Sequence, residues 1–186
     1  MRLLLATGNA HKVDEIAAIL GPDVELEAHD PAVEETGATF EENALLKGRA
    51  VVAATGITTL ADDSGIVIDG LGGRPGVSSA RWTHEGDWIP RVLRELSAGP
   101  DLSRAARYVC AAAACFPDGR QLVEVGVVEG TIAAAPRGDG GFGYDPLFVP
   151  VEGDGRTFAE MTTAEKQALS HRGRAFRALA ERLAAT

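Results

Sequence analysis

Residues 57–68 read ITTLADDSGIVI, in which Asp62, Asp63 and Ser64 separate two apolar runs. The apolar runs predict a buried strand that surfaces at the two carboxylates. Adjacent carboxylates repel each other, and burial raises their pKa unless a cation or hydrogen-bond donors lie beside them. Mg²⁺ is the simplest such cation, because it is commonly held by one or two protein carboxylates together with waters and substrate phosphates. The alternative is a hairpin turn around Asp63, since Asp, Ser and Gly all favour turns.

The composition restricts the classes of protein to consider. The chain has 186 residues and a net charge of −9, from 27 acidic and 18 basic residues. This length suits a single domain over residues 1–186, with two lobes around a cleft as an alternative. The acidic balance argues against a broad nucleic-acid or anionic-membrane surface. If the ligand is anionic, a few placed cations must hold it.

Two further features bear on location and redox chemistry. The apolar run at residues 3–6 is too short for a secretory signal, and no later run approaches the length of a membrane span. We therefore expect a cytoplasmic protein with no membrane partner. Cys110 and Cys115 share an apolar run, and no further Cys or nearby His completes a ligand set. They are predicted to be small buried apolar residues rather than metal or redox groups.

A phosphate-binding turn is predicted near the start of the chain. Residues 3–6 predict a buried strand and residues 13–20 an amphipathic helix that Gly21-Pro22 ends. The turn between them, residues 7–12 (TGNAHK), brings free N–H groups and the positive end of the helix dipole to one place, and Lys12 adds a charge. The spacing is not that of the phosphate loop G-x-x-x-x-G-K-[ST], so that class of NTPase is not supported. A purely structural turn is the alternative.

The next helix is predicted to begin after Thr39 and to end at Gly56. Thr39 and Glu42 have the spacing of a capping box, and glycine is typical of the position after a helix. Because capping occupies Glu42, Glu34 ahead of the helix is the better candidate for a metal ligand. Lys47 lies on this helix and is, on its own, either a solvated lysine or a ligand for an anion.

The second half of the chain predicts a hairpin followed by a glycine-rich segment. Strand-like runs at residues 105–116 and 121–128 are joined by the turn residues PDGR, and a third strand is predicted at residues 131–134. Residues 137–146 (RGDGGFGYDP) form either a flexible surface loop or a ligand site. The second reading rests on Phe142 and Tyr144, which are costly to expose and can cover a flat base, while glycines let backbone amides approach a ligand.

The last helix is predicted to begin with cations. A capping box at residues 162–165 precedes Lys166, and residues 170–174 (SHRGR) open a helix with an apolar face. His171 and Arg172 then oppose the helix dipole, so a nearby anion or acceptor is the natural compensation. The alternative for His171 is a solvated surface side chain.

Four segments together closely resemble the inosine triphosphate pyrophosphatase family, which comprises noncanonical purine nucleoside triphosphate pyrophosphatases. They are residues 7–12 (TGNAHK), 61–65 (ADDSG), 141–146 (GFGYDP) and 170–173 (SHRG), in family order over nearly the whole chain. The resemblance implies an α/β fold with an elongated central mixed sheet flanked by helices, two lobes around a deep nucleotide-binding cleft, and a homodimer. It also implies Mg²⁺-dependent hydrolysis of ITP, dITP or XTP to the monophosphate and pyrophosphate.

The resemblance assigns roles residue by residue. Asp63 becomes the proton acceptor and, together with Glu34, a metal ligand; Glu41, Glu42 and Asp62 stay open as alternatives for the metal. The predicted substrate contacts are Thr7, Gly8, Asn9, Ala10, His11, Lys12, Lys47, Ser64, Phe142, Gly143, Tyr144, Asp145, Lys166, His171 and Arg172.

Two departures from the family pattern and two rival functions remain. Ser78 stands where family members often carry tyrosine, and the segment of residues 83–90 is shorter than usual. One rival is a pyrophosphatase for modified pyrimidine nucleotides, which could use the same metal chemistry with a different base pocket. The other is a sensor that binds the triphosphate without cleaving it, and its mark would be loss of the metal carboxylates or of the base. Glu34, Asp62 and Asp63 are all present.

Overall fold

The computed structural model describes residues 2–8, 10–82, 87–99 and 102–185. Asn9 and residues 83–86, on which two of the predictions fall, lie outside these ranges. The secondary structure elements are β1 Arg2–Ala6, α1 Ala10–Leu20, β2 Glu25–His29, α2 Phe40–Thr55, β3 Thr59–Ile68, α3 Trp88–Leu96, β4 Ala105–Cys115, β5 Gln121–Ile132, β6 Phe148–Pro150, α4 Thr163–Leu169 and α5 His171–Ala184.

The six strands form one mixed sheet in the order β2-β1-β3-β4-β5-β6. Strand β1 pairs in parallel with β2 and β3, and β5 pairs antiparallel with β6. With five helices in the described ranges, this confirms the predicted α/β class. None of the described helices combines the length and the apolar character needed to cross a bilayer.

The stretch at residues 57–68 folds as part of a single strand rather than as a hairpin. Strand β3 runs without interruption through Asp62 and Asp63, and both side chains are buried. Its two faces differ in what they contact: Leu60 packs in a cluster with Leu3, Leu5 and Phe176, whereas Ala61 packs with Leu4, Ala6 and Val51. Successive side chains of a strand point to opposite faces, so Asp62 continues the first face and Asp63 the second. The turn reading of this stretch was wrong.

The chain divides into two compact units, each assembled from separate segments. The first unit comprises Met1–Asp63, Cys110–Gly126 and Arg172–Thr186, and the second comprises Ser64–Val109 and Val127–His171. The core of the second unit contains the fully buried side chains of Phe148, Phe158 and Leu147. Full burial of such a side chain contributes about 1.5–3 kcal/mol to stability. Because the cluster around Leu60 and Phe176 lies in the first unit, each unit has an apolar core of its own.

Local signals placed the helix ends correctly. The Thr39 hydroxyl accepts a hydrogen bond from the Glu42 amide at the start of α2, and Gly56 ends the helix in the left-handed conformation with φ 66°. The Glu42 carboxylate accepts from the Ala38 N–H rather than from that of Thr39. The second capping box, Thr162 with Glu165, is present at the start of α4.

The strands of the second half differ from the prediction at their far end. Strands β4 and β5 are joined at the predicted turn, where the Phe116 N–H donates to the Arg120 carbonyl at 3.0 Å. Residues 131 and 132 extend β5 instead of forming a strand of their own, and the next strand is β6 at Phe148–Pro150. Cys110 and Cys115 are buried free thiols, as predicted.

Candidate active site

The predicted phosphate turn lies between β1 and α1. Thr7 is buried, and its N–H donates to the carbonyl of His29 on β2 at 3.0 Å, while Gly8 is exposed. Ala10, His11 and Lys12 are the first residues of α1, so the predicted order of strand, turn and helix is confirmed, but the helix begins three residues before its predicted start at residue 13. Lys12 extends its ammonium to the side chain of Asp62.

Asp62 is the centre of a buried ion-pair network in the first unit. Its two carboxylate oxygens accept from the Lys12 ammonium at 2.9 and 3.2 Å, and one also accepts from Arg172 Nε at 3.2 Å. Arg172, itself buried, reaches Glu15 with its other end at 3.1 Å. Burial alone would raise the pKa of Asp62, but Lys12 and Arg172 hold it well below the usual range. The network joins α1, β3 and α5, and it supplies the anion expected beside Arg172.

Asp63, on the other face of β3, has a different set of partners in the same unit. Its carboxylate accepts from the Lys47 ammonium at 3.3 Å and from the Asn43 side-chain amide at 3.1 Å. Burial raises the pKa of Asp63, and the nearby Glu35 adds to the rise, while Lys47 and Asn43 counteract only part of it. Such a carboxylate binds a proton more readily than an exposed one, as a general base requires.

Glu35 completes this arrangement, and sequence reasoning did not single it out. Its carboxylate accepts from the Lys47 ammonium at 2.6 Å, so Lys47 lies between Glu35 and Asp63. Burial would lower the pKa of Lys47, but the two carboxylates hold it above its ordinary value. Glu34, the predicted metal ligand, is exposed and one residue away. The only signal for Glu35 was its adjacency to Glu34, and no pattern in this irregular segment says which of the two faces Asp63.

The donor set around Lys47 fits a magnesium ion. Within the described ranges, no group of three or more His, Cys, Asp and Glu side chains could hold a metal. Asp63 and Glu35 nonetheless place two carboxylates on one shared cation, which is the number that Mg²⁺ commonly takes from a protein when phosphates supply the remaining oxygens. Glu41 and Glu42, the alternatives on α2, both lie in its first turn, where the Glu42 carboxylate accepts from the Ala38 N–H.

A second cluster of predicted site residues surrounds Asp145 in the second unit. The buried Asp145 carboxylate accepts from the Lys166 ammonium at 2.5 Å, from the Phe142 N–H at 2.8 Å and from the Tyr108 hydroxyl at 3.2 Å. The Gly141 Cα approaches this carboxylate so closely that an added Cβ would lie 2.2 Å from one of its oxygens. The predicted glycine-rich segment is exposed over residues 137–142, but its backbone closes around the buried Asp145 carboxylate, so it is not an unstructured surface loop.

The two aromatic residues of this segment have different environments. Phe142 is 67% exposed, and the Lys166 ammonium lies 4.6 Å from the centre of its ring. Tyr144 is buried, and its hydroxyl donates to the Ser79 carbonyl at 2.9 Å. Phe142 therefore presents an open ring face, whereas Tyr144 packs in the core and holds the segment in place.

His171 and Ser64 complete the predicted set in this unit. His171 is buried, and its ring stacks on that of Tyr108 with the ring centres 4.7 Å apart and the planes 8° apart. Tyr108 thus contacts both His171 and Asp145, and it was missing from the predictions because a tyrosine inside a strand carries no local sign of such a role. Ser64 follows Asp63 on β3 and is partly buried.

Comparison with known proteins identifies the family of this chain. The profile of the Ham1 family matches residues 3–182. The chain belongs to the Ham1 family. This membership confirms the resemblance on which the residue assignments rest.

Individual Ham1 relatives match over nearly their whole length. Two proteins named dITP/XTP pyrophosphatase, from Symbiobacterium thermophilum and Streptomyces coelicolor, are 50% and 48% identical to this chain and cover 99% and 96% of it, with 95% and 94% of their own length covered. A Ham1 protein of Coxiella burnetii, 37% identical, superposes with a TM-score of 0.90 over 100% of both chains. A nucleoside-triphosphatase, dITP/XTP pyrophosphatase, of Mycobacterium abscessus is 46% identical with a TM-score of 0.79 over 96% of this chain and 98% of its own.

Proposed function

We propose that this Ham1 chain hydrolyses noncanonical purine nucleoside triphosphates, namely dITP, XTP and ITP, to the monophosphate and pyrophosphate. The support is twofold. Relatives named dITP/XTP pyrophosphatase match almost the entire chain at about half identity. The buried carboxylate of Asp63, held between Lys47 and Asn43, is the observation that carries the chemical part of the proposal.

Asp63 is proposed as the proton acceptor. A water molecule attacks the α-phosphorus, its proton passes to the Asp63 carboxylate, and pyrophosphate leaves. Burial raises the pKa of this carboxylate, which brings its basicity closer to what proton abstraction near neutral pH requires. General-base catalysis of this kind typically contributes about 10²-fold or more to the rate.

Mg²⁺ is the proposed cofactor, with Asp63 and an acidic residue of the segment before α2 as its protein ligands. Glu35 shares Lys47 with Asp63, whereas Glu34, which the family resemblance assigns, is exposed in the structure. When bound, the ion would neutralise phosphate charge and acidify the attacking water. Lys47 would then be available to the phosphates, because the two carboxylates that hold it would have another cation.

The remaining cations are proposed to balance the phosphate chain. Lys12 and Lys166 each hold a buried carboxylate, Asp62 and Asp145. An ammonium has three N–H donors, so each lysine can keep its carboxylate and still donate to a phosphate oxygen. Thr7, Gly8 and Asn9, together with Ala10 and His11 at the start of α1, are proposed to contact the phosphate chain near Lys12.

The base is proposed to be covered by Phe142 and read by the start of α5. The exposed Phe142 ring can stack on any purine, so stacking supplies affinity rather than selectivity. A 6-oxopurine offers an acceptor where adenine offers a donor. Donors from His171, Arg172 and backbone amides would therefore pair with the former and remain unpaired against the latter. Gly143 and Ser64 are proposed as further contacts, and Tyr144 and Asp145 as residues that hold this segment.

The test is pyrophosphate release from a panel of common and deaminated nucleotides, with and without Mg²⁺. We expect turnover of ITP, dITP and XTP well above that of ATP, and only with the metal; discrimination against GTP, which is also a 6-oxopurine, is expected from the family resemblance alone. Asp63→Asn should lose at least about 10²-fold in kcat, while Asp14→Asn, an exposed acid-to-amide change on α1, should not. Equal turnover of all purine nucleotides, or preference for a modified pyrimidine, contradicts the proposal, and tight binding without release of pyrophosphate indicates a sensor.

The homodimer is a prediction from the family resemblance, and the cytoplasmic location is a prediction from the apolar run at residues 3–6, which is too short for a secretory signal. Light scattering of the purified chain measures the first, with a mass near twice 19.4 kDa expected. Fractionation of the source cells measures the second.

A further inference from the structure

We propose that Asn43 is a positioning residue that aims the Asp63 carboxylate and ties it to the segment carrying Glu34 and Glu35. This proposal rests on the proposed role of Asp63. The proposal is based on the fully buried side-chain amide of Asn43, which bridges the Asp63 carboxylate on β3 and the Gly37 backbone ahead of α2.

Both ends of the Asn43 amide are engaged, and their identities are fixed by chemistry. Its Oδ1 accepts from the Gly37 N–H at 2.7 Å, and its Nδ2 donates to Asp63 Oδ2 at 3.1 Å. A backbone N–H can only donate and a carboxylate can only accept. The amide therefore has a single orientation that satisfies both neighbours, and flipping it would place two donors together at one end and two acceptors at the other.

Asn43 and Lys47 divide the two oxygens of Asp63 between them. Asn43 holds Oδ2, and Lys47 lies 3.3 Å from Oδ1 but only 2.6 Å from Glu35. Lys47 is a flexible cation that phosphate can attract away. Asn43 is short, fully buried and fixed by the backbone of Gly37, so it keeps its contact when Lys47 moves. The orientation of the base during the reaction would then depend on Asn43.

Gly37 shows how tightly this link is packed. A Cβ added at Gly37 would lie 2.7 Å from Asn43 Oδ1 and 2.7 Å from the Cβ of Glu42. Only glycine allows the backbone to come this close. The segment that carries the two candidate acidic ligands is therefore closed directly onto the residue that holds the base, and one amide sets the position of both.

The first experiment exchanges the two side chains. In Asp63→Asn alone, the introduced amide has a single oxygen for two donors, Asn43 and Lys47; in Asn43→Asp alone, two carboxylates meet. In the double variant Asn43→Asp/Asp63→Asn, the introduced amide donates to the introduced carboxylate, which still accepts from Gly37, and its oxygen accepts from Lys47. We expect the metal-free double variant to have a higher Tm than either single variant, with turnover as low as that of Asp63→Asn. A double variant no more stable than the weaker single variant overturns the proposed contact.

The second experiment separates positioning from general stability. Asn43→Ala should lower kcat for ITP at least about tenfold with KM within about threefold, because a base displaced by about 1 Å can lose up to about 10²-fold. Thr59→Val is the matched control: it removes a buried hydroxyl at the start of β3 that donates to the Ile57 carbonyl ahead of the strand, without contacting Asp63. We expect it to lower Tm and leave kcat unchanged.

Two results would overturn the positioning role. The first is that Asn43→Ala keeps a kcat within threefold of that of the unaltered chain. The second is that Thr59→Val, with a loss of Tm similar to that of Asn43→Ala, loses as much kcat. Activity of the unaltered chain is the separate check on the proposed function. If that chain releases no pyrophosphate from any nucleotide, the proposed function fails, while the exchange experiment still reports on the contact between Asn43 and Asp63.

Discussion

Asp62 and Asp63 are consecutive residues of β3, yet their carboxylates face opposite sides of the strand and their pKa values shift in opposite directions. Asp62 contacts two cations and stays ionised, whereas burial makes Asp63 the better proton acceptor. Two adjacent carboxylates thus avoid mutual repulsion and take separate tasks. Asp62 holds α1 and α5 against the strand through its ion pairs, and Asp63 is left for its proposed role as proton acceptor.

Replacing Asp62 should destabilise the protein strongly. Asp62→Asn leaves Lys12 and the buried Arg172 beside a neutral amide, and breaking a buried ion pair by removing one partner typically costs about 3–5 kcal/mol. Because the folded pKa of Asp62 lies below its unfolded value of about 3.9, this stabilisation is present above that value and is lost as the pH falls through the folded pKa. Urea denaturation at pH 7 and pH 3 measures it, with Asp14→Asn as control. If the unaltered chain and Asp62→Asn differ as much in free energy of unfolding at pH 3 as at pH 7, the ion-pair account is wrong.

The pH dependence of turnover should report on Asp63. The base must be ionised, so kcat/KM should fall as the pH decreases through a pKa above the ordinary value for Asp of about 3.9. A cation beside a carboxylate favours its charged form, so raising the Mg²⁺ concentration should move this acid limb to lower pH. The measurement is a pH profile of ITP hydrolysis at limiting and saturating Mg²⁺. An acid limb unaffected by the metal would assign it to another group.

The two adjacent glutamates should differ in their effect on metal dependence. Glu35 contacts Lys47 beside Asp63, whereas Glu34 is exposed, so Glu35→Gln should raise the Mg²⁺ concentration for half-maximal activity more than Glu34→Gln does. The two variants make the same chemical change one residue apart and serve as controls for each other. The opposite ranking would support Glu34, which the family resemblance assigns.

Phe142 and Arg172 should separate affinity from selectivity. Phe142→Ala removes an exposed ring and should raise KM for ITP and ATP alike, because stacking accepts any base. Arg172→Ala should reduce kcat/KM for ITP more than for ATP if Arg172 reads the base. An equal fall on both nucleotides would leave Arg172 with its observed role, the ion pairs to Asp62 and Glu15.

The features that sequence predicted correctly depend on neighbours in the chain. The ends of α2 follow from Thr39 and Gly56, which act within one helical turn. The turn between β4 and β5 is likewise local. The error at Asp63 has the opposite origin, because turn-forming residues are kept in a strand by partners far along the chain. Lys12 is 50 residues from Asp62 and Arg172 is 110 residues from it.

In the candidate site too, sequence predicted what local patterns determine and missed what distant contacts determine. Most residues of the candidate site were named from the motifs and the family resemblance, and their roles stay predictions. The sequence patterns could not say that Glu35 rather than Glu34 faces Lys47, since the segment before α2 has no regular period to read. Nothing in the sequence singled out Asn43. Its contacts with Gly37 and Asp63 depend on how α2 packs against β3, which no local pattern encodes.

The alternation of β3 also makes the strand intolerant of any change in length. Removing or adding one residue between Thr59 and Asp62 would turn every following side chain to the other side of the sheet. After a deletion, Asp63 would take the place of Asp62 beside Lys12 and Arg172, and Ser64 would take the place beside Lys47. After an insertion, Asp62 would take the place of Asp63, and Lys12 and Arg172 would lose their shared carboxylate. A substitution in β3 alters the contacts of one side chain, and a change in its partner can restore them. An insertion or deletion moves both carboxylates to the other face at once, so engineering of this protein must hold the residue count of β3 constant.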